Sequence, residues 1–165
     1  MPTHENATLD RILRHMAWAN EGAFRALAQL SDGALAHTAA GSAWSVGAIA
    51  HHLVVAAENY VQRLHGEPRA AERPVPTLVA DIAPLAAALA AADARLRDGS
   101  ALDGNEVVRW TSRSGDPLAV PRWVLIAQAV HHATEHRAQI AGTLAAHGIT
   151  LDLDALDVWT YNDGL

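Results

Sequence analysis

Apolar residues recur at helical spacing along four long stretches of this chain, and glycine or proline breaks the pattern between them. A chain patterned in this way is committed to packing helices against one another. Leu9, Ile12, Leu13, Met16, Phe24, Leu27 and Leu30 mark the first stretch, which reads as a helix from about Ala7 to Leu30, stopped by Ser31, Asp32 and Gly33. Residues Ser31 to Ala43 carry turn residues. Trp44 and Ser45 lead into a second helix, with Ser45 placed to cap it, running to about His65 and ending at Gly66. The segment EPRAAERPVP that follows cannot continue a helix and reads as a surface crossover between bundle members. A third, alanine-rich helix is predicted from about Thr77 to Leu96, closing at Asp98 and Gly99. Residues Glu106 to Ala119 read as a short β-hairpin or extended loop about Ser114, Gly115 and Asp116. The fourth helix starts near Pro121, a good first-turn residue, and reaches about His147 before Gly148; the tail LDALDVWTY adds a last turn or two over the bundle end. The predicted fold class is all-α: a four-helix bundle with one long crossover and a short β-hairpin before the last long helix, as a single domain over residues 1–165.

Composition narrows the function. Half of the 165 residues are hydrophobic, much of that alanine, and aromatics are 5%, a balance that favours closely packed helices over a β-sandwich. Twelve basic against 18 acidic residues leave a net charge of −6, which argues against a nucleic-acid surface. Lysine is absent and no arginine block occurs, so no polybasic membrane patch is expected. With no cysteine, the fold uses no disulfide, and any thiolate in its chemistry must arrive on a substrate or cofactor. The N-terminal residues MPTHENAT lack a signal-peptide pattern and no apolar run reaches membrane-spanning length, so the expected location is cytoplasmic.

His132 and His136 lie four residues apart on the fourth helix, which stacks both imidazoles on one face. That is a metal-ligand spacing, and it supplies half of a coordination shell. The other half is sought at His51 and His52. Val46, Ile49, Leu53, Ala57, Tyr60 and Leu64 mark the buried face of the second helix; His52 lies on its flank and His51 faces outward. On the fourth helix Leu125, Ala129, Ile140 and Leu144 define the inward stripe, with His132 and His136 on or beside it and His131 pointing away. His52, His132 and His136 are therefore the set able to converge on a divalent metal, and three imidazoles leave positions open, as in a catalytic site. On spacing alone, solvated or hydrogen-bonded histidines are about as good a reading. Glu58 and Glu135 are further donors or partners of ligands by type, although the phase of Glu135 makes a surface charge the better reading. Arg137, beside the pair, suits either an anionic substrate group or a structural ion pair. His4, His15, His37, His65 and His147 have no partner at ligand spacing. The tryptophans 18, 44, 110, 123 and 159 are read mainly as packing residues, with pocket lining as the alternative.

HMAWANE in the first helix, WSVGAIAHHL in the second and HATEHRAQI in the fourth, followed by GITLD and DVWTY, together resemble the DinB family, within the wider group of DinB and YfiT-like metalloenzymes. The resemblance covers nearly the whole chain, and the family's three ligand histidines fall on His52, His132 and His136. Glu135 stands where many members have the first of two histidines, and Ala138 replaces a usual glycine. The resemblance implies a four-helix bundle holding a divalent metal, zinc or nickel foremost, often as a homodimer, and acting on a small-molecule substrate. Characterised relatives include enzymes dependent on mycothiol or bacillithiol. The implied activity is thus metal-dependent activation of water or of a low-molecular-weight thiol, in an S-transferase-like or hydrolase-like reaction. Arg137 would orient an anionic part of the substrate and Glu58 would carry a proton. The alternative is a non-catalytic metal-binding protein of stress response or interaction.

Overall fold

The computed structural model describes residues 4–112 and 114–161. Four long helices carry the fold: α1 (His4–Leu27), α3 (Val46–His65), α4 (Ile82–Ser100) and α5 (Arg122–Ala145). A one-turn α2 (Asp32–Leu35) follows α1, and the strands β1 (Val107–Thr111) and β2 (Pro117–Pro121) precede α5. Helix α4 packs along both α1 and α3, and α3 packs along α5. Between them lie the fully buried side chains of Leu13, Met16, Phe24, Leu27, Leu53, Leu89, Leu96, Ile140 and Leu144. Among the described residues no helix is long and apolar enough to cross a membrane.

The bundle and the hairpin are as expected, and the differences are local. The first helix ends at Leu27, and residues 28–30 turn out of it. The stretch expected to be only turns contains α2, whose Ala34 and Leu35 are buried, while Asp32 accepts a hydrogen bond from the Val79 amide at 2.7 Å. The Ser45 cap forms as expected: its hydroxyl accepts from the Ala48 amide at 3.1 Å, and α3 ends on Gly66 in the left-handed conformation. The third helix starts later, because Asp81 uses its carboxylate to accept from the Thr77 and Leu78 amides at 3.1 and 3.0 Å and holds residues 79–81 in a 3₁₀ turn. It also runs through Gly99. That glycine is buried against α3, where an added Cβ would meet the Leu64 and His65 side chains at ordinary contact distances of 3.4 and 3.5 Å. The strands pair antiparallel, Val107 opposite Pro121 and Thr111 opposite Pro117, about a turn in which Gly115 has φ 92°.

After α5 the tail folds back over α1. A 3₁₀ turn at Asp154–Leu156 lets His15 Nε2–H donate to the Leu156 carbonyl at 3.0 Å, and Tyr161 packs against Trp18. None of the five tryptophans is fully buried: Trp18 packs on the tail and Trp110 against the edge of the core, as packing residues, whereas Trp44, Trp123 and Trp159 are exposed, Trp44 at the border of a cavity.

Gly47 marks a closer approach. A Cβ at this position would lie 2.6 Å from the Pro76 carbonyl oxygen of the crossover, a backbone atom that cannot rotate aside. Helix propensity alone favours alanine over glycine by about 1 kcal/mol. We expect the opposite sign here: Gly47→Ala should lower stability by about 1–3 kcal/mol, read as a decrease in the urea midpoint at unchanged slope.

Candidate metal centre

The entry to α3 is fixed before the first functional side chain is reached. Thr38 and Ser45 form an isolated antiparallel bridge, the Val46 amide donates to the His37 carbonyl at 2.9 Å, and Ser45 caps the helix. His52 therefore leaves α3 in its second turn, facing α5. There His132 and His136, one turn apart, meet it. His52 Nε2 lies 3.1 Å from His132 Nε2, His136 Nε2 lies 3.0 Å from His132 Nε2, and one ligand atom from each of the three falls within 4.8 Å of the others. His136 is buried; His52 and His132 are half-buried.

The protons are distributed so as to leave lone pairs facing inward. His136 Nδ1–H donates to Gln139 Oε1 at 2.7 Å, which leaves its Nε2 as the basic nitrogen. Burial, then the neighbouring His136 and His52, pushes His132 down to about 4. His52 is shifted down as well, by burial first and then by His136 and His51. At neutral pH His52 and His132 are thus held neutral. An imidazole nitrogen carries either a proton or a lone pair, and His136 Nε2 presents a lone pair, so His132 Nε2 can hydrogen-bond only one of its two close neighbours; the other pair of nitrogens is held close with no proton between them, a repulsive contact. A cation among them removes that repulsion. Tetrahedral metal–nitrogen bonds of about 2.0–2.1 Å place donor atoms about 3.3 Å apart, close to the two separations present here. The donor set fits a borderline divalent ion.

The walls around the triad are aromatic. The Trp44 ring lies 4.7 Å from that of His52, and Tyr60 meets His132 edge-on at 5.8 Å. On the Trp44 side a cavity of about 680 Å³ opens onto His136, bordered by Ser42, Trp44, Glu135, Gln139 and Thr143. Gln139 was not singled out from the sequence; its signal was its position three residues after His136, where a helix brings a side chain back over the preceding turn. Glu135 stands at the cavity rim, exposed, and accepts from Gln139 Nε2 at 3.4 Å.

Two residues expected at the site lie elsewhere. Glu58 leaves α3 on the His51 face and pairs with Arg73 of the crossover at 2.7 Å, while His51 itself donates to the Arg73 carbonyl at 2.8 Å. Residue 58 is six positions, or about 600° of rotation, from His52, which turns it away from the triad. The proton-carrier role expected for it has no geometric support. Arg137 is also turned away. It is buried, donates to Asn20 Oδ1 of α1 and to Thr134 Oγ1, and is compensated by Asp93 of α4. Asn20 donates in turn to Asp93 Oδ2 at 2.9 Å. Arg137 is the buried cation of an interior network, and the structural alternative replaces the substrate-orienting role. His131 points away from the triad, as its phase required, and lines a groove between α1 and α5.

Comparisons with known proteins follow the same lines. Residues 1–155 match the family model described as the DinB family. No curated protein matches the chain. Among solved structures, a DinB-like protein from Bacillus cereus ATCC 10987 is similar with a TM-score of 0.61 at 23% identity, over 86% of this chain and 93% of that one, which shows a common fold.

The interior network gives a pH signature. Burial raises Asp93 to about 6, against the opposing pull of Asn20 and Arg137, and its Oδ1 has no hydrogen-bond partner. A carboxyl raised on folding is most stabilising when protonated in both states, and that contribution is lost as pH rises through the folded value. Asp93→Asn removes this dependence. Relative to the wild type, the variant should gain up to about 3 kcal/mol as pH rises from about 4 to about 7.5, measured by urea unfolding at both pH values; a constant difference would contradict the burial of an ionisable group there.

Proposed function

Because the chain belongs to the DinB family and three imidazoles converge between α3 and α5, we propose that it is a divalent-metal-dependent enzyme acting on a small molecule. The convergence of the His52, His132 and His136 Nε2 atoms carries this reading. A divalent ion, zinc or nickel by donor type, would supply Lewis acidity that lowers the pKa of water or of an incoming thiol. Gln139 accepts the Nδ1–H of His136 and so orients the ring with Nε2 towards the other two imidazoles, where it is available as a ligand. Trp44 and Tyr60 shield the triad and lower the local dielectric. Glu135, at the rim, is placed to take a proton from a group entering the cavity.

The cavity beside His136 is of ligand size. Three protein donors leave room for an exogenous one, which favours catalysis over a closed structural site. With no cysteine in the chain, a thiol reaction requires a low-molecular-weight thiol as co-substrate. In the second reading the metal serves mainly to tie α3 to α5, and its removal would then lower thermal stability without abolishing any reaction.

Protein purified without a metal-affinity tag should contain about one equivalent of a divalent ion. His52→Ala, His132→Ala and His136→Ala should each lose it in elemental analysis. Tight metal retained by His132→Ala would remove the proposed site. Arg137→Met should behave differently: it leaves Asp93 uncompensated and should lower stability by about 3–5 kcal/mol, while the folded protein keeps its metal.

A further inference from the structure

The chain has twelve arginines and no lysine. Six of them, Arg14, Arg25, Arg73, Arg95, Arg97 and Arg122, sit in ion pairs with aspartate or glutamate. Arg137 belongs to the interior network. Arg63, Arg69 and Arg109 take part in none of these pairs, and all three line one cavity of about 450 Å³ between the end of α3, the loop after it and β1. In a chain of net charge −6, three arginines outside these pairs are thus gathered at one place.

The cavity is held in shape by contacts that leave its charge unneutralised. The Arg63 guanidinium lies over the Trp110 ring, 4.8 Å from its centroid, and is half-buried. Burial and the neighbouring Arg69 both disfavour its charge. The lining contains one carboxylate, Glu67, and both of its oxygens are taken by Arg95. The last carbonyls of α3, which would repel an anion, are partly occupied: the Glu67 amide donates to the Gln62 carbonyl at 2.9 Å, and the Gly66 amide to that of Arg63 at 3.4 Å. What remains is three guanidinium forks, the side-chain amides of Asn59 and Gln62, and one indole wall. The complement of such a set is an oxyanion, because a guanidinium presents parallel N–H groups that match a carboxylate or phosphate edge.

The cavity also has a direction relative to the histidines. Asn59 and Arg63 follow His52 by seven and eleven residues, which at about 100° per residue returns each to within about 20° of His52. One stripe of α3 therefore runs from the triad to the arginines, over a rise of about 16 Å between Cα atoms. Tyr60, which touches His132, lies on the same half of α3 between them. We propose that this cavity is an anion-recognition site that takes the carboxylate or phosphate group of an extended small-molecule substrate whose reacting end lies at His52, His132 and His136. The connection to substrate rests on the metal-enzyme reading above; binding of the anion does not.

Two titrations separate these statements. In the first, glutarate and inorganic phosphate are titrated into wild type, His132→Ala, Arg63→Gln, Arg109→Gln and Arg25→Gln by calorimetry, at two salt concentrations. A single saturable site is expected in wild type and equally in His132→Ala, weakened by about tenfold in Arg63→Gln or Arg109→Gln. It should be unchanged in Arg25→Gln, whose arginine pairs with Glu21 on α1. Absence of saturable binding, or equal affinity in the Arg63 and Arg109 variants and the wild type, overturns the anion site, whatever the fate of the metal. In the second, mercaptocarboxylic acids of increasing chain length are titrated into the metal-loaded protein. Affinity should rise with length up to the span that joins thiol and carboxylate positions, and Arg109→Gln should abolish the rise. A flat length series overturns the link between the cavity and the triad, whereas loss of all metal in the wild type would overturn the metal-enzyme reading instead.

Discussion

The rotation of α5 about its own axis is the constraint on which the site depends, and a buried cation sets it. Arg137 reaches into the seam between α1 and α4, where Asn20 accepts from it and Asp93 compensates its charge. A guanidinium removed from water has few acceptable environments, because an unpaired charge in the interior costs several kcal/mol. Locking residue 137 towards α1 and α4 leaves residues 132 and 136 to face α3. The network and the triad are thus two consequences of one helix orientation. This also accounts for the asparagine of the AWAN segment in α1: its amide bridges the two charged partners that orient the opposite helix.

The triad itself is built by packing and tuned by burial. Ser45 and the bridge to Thr38 set where α3 begins, so the turn at which His52 emerges is decided several residues before it. Burial then depresses the protonation of His52 and His132, and the hydrogen bond to Gln139 fixes the tautomer of His136. Close-lying basic nitrogens are electrostatically unfavourable without a cation or shared protons, and the core that holds them together opposes that repulsion. Trp44 covers one side and borders the cavity that opens there onto His136.

The β-hairpin, a small departure from an all-helical plan, has a role in this arrangement. It places Trp110 under Arg63 and brings Arg109 towards the end of α3. The same connection delivers the chain into α5 through Pro121, so the element that starts the histidine helix also walls the basic cavity.

Much of this was legible in the chain as written. Apolar spacing at 3.6 residues per turn located the four long helices, Ser45 and Gly66 bounded one of them, and helix phase together with the family resemblance selected His52, His132 and His136. Such features are local: they depend on backbone geometry and on neighbours within a turn or two. The passage of α4 through Gly99 and the one-turn α2 were not legible, because they meet distant partners, Leu64 and Val79, and the late start of α4 rests on a turn at Asp81 that apolar spacing does not register. The roles of Arg137 and Glu58 were decided in the same way. Arg137, next to His136, is turned about 100° round the helix from it and Glu58 about 120° from His52, and only the packed bundle showed that Asn20 and Asp93 claim the first and Arg73 the second. Sequence therefore determined which residues share a face, since that is a property of the helix. Tertiary structure decided what each face meets, since long-range contacts bring together residues that the chain keeps eighty or more positions apart.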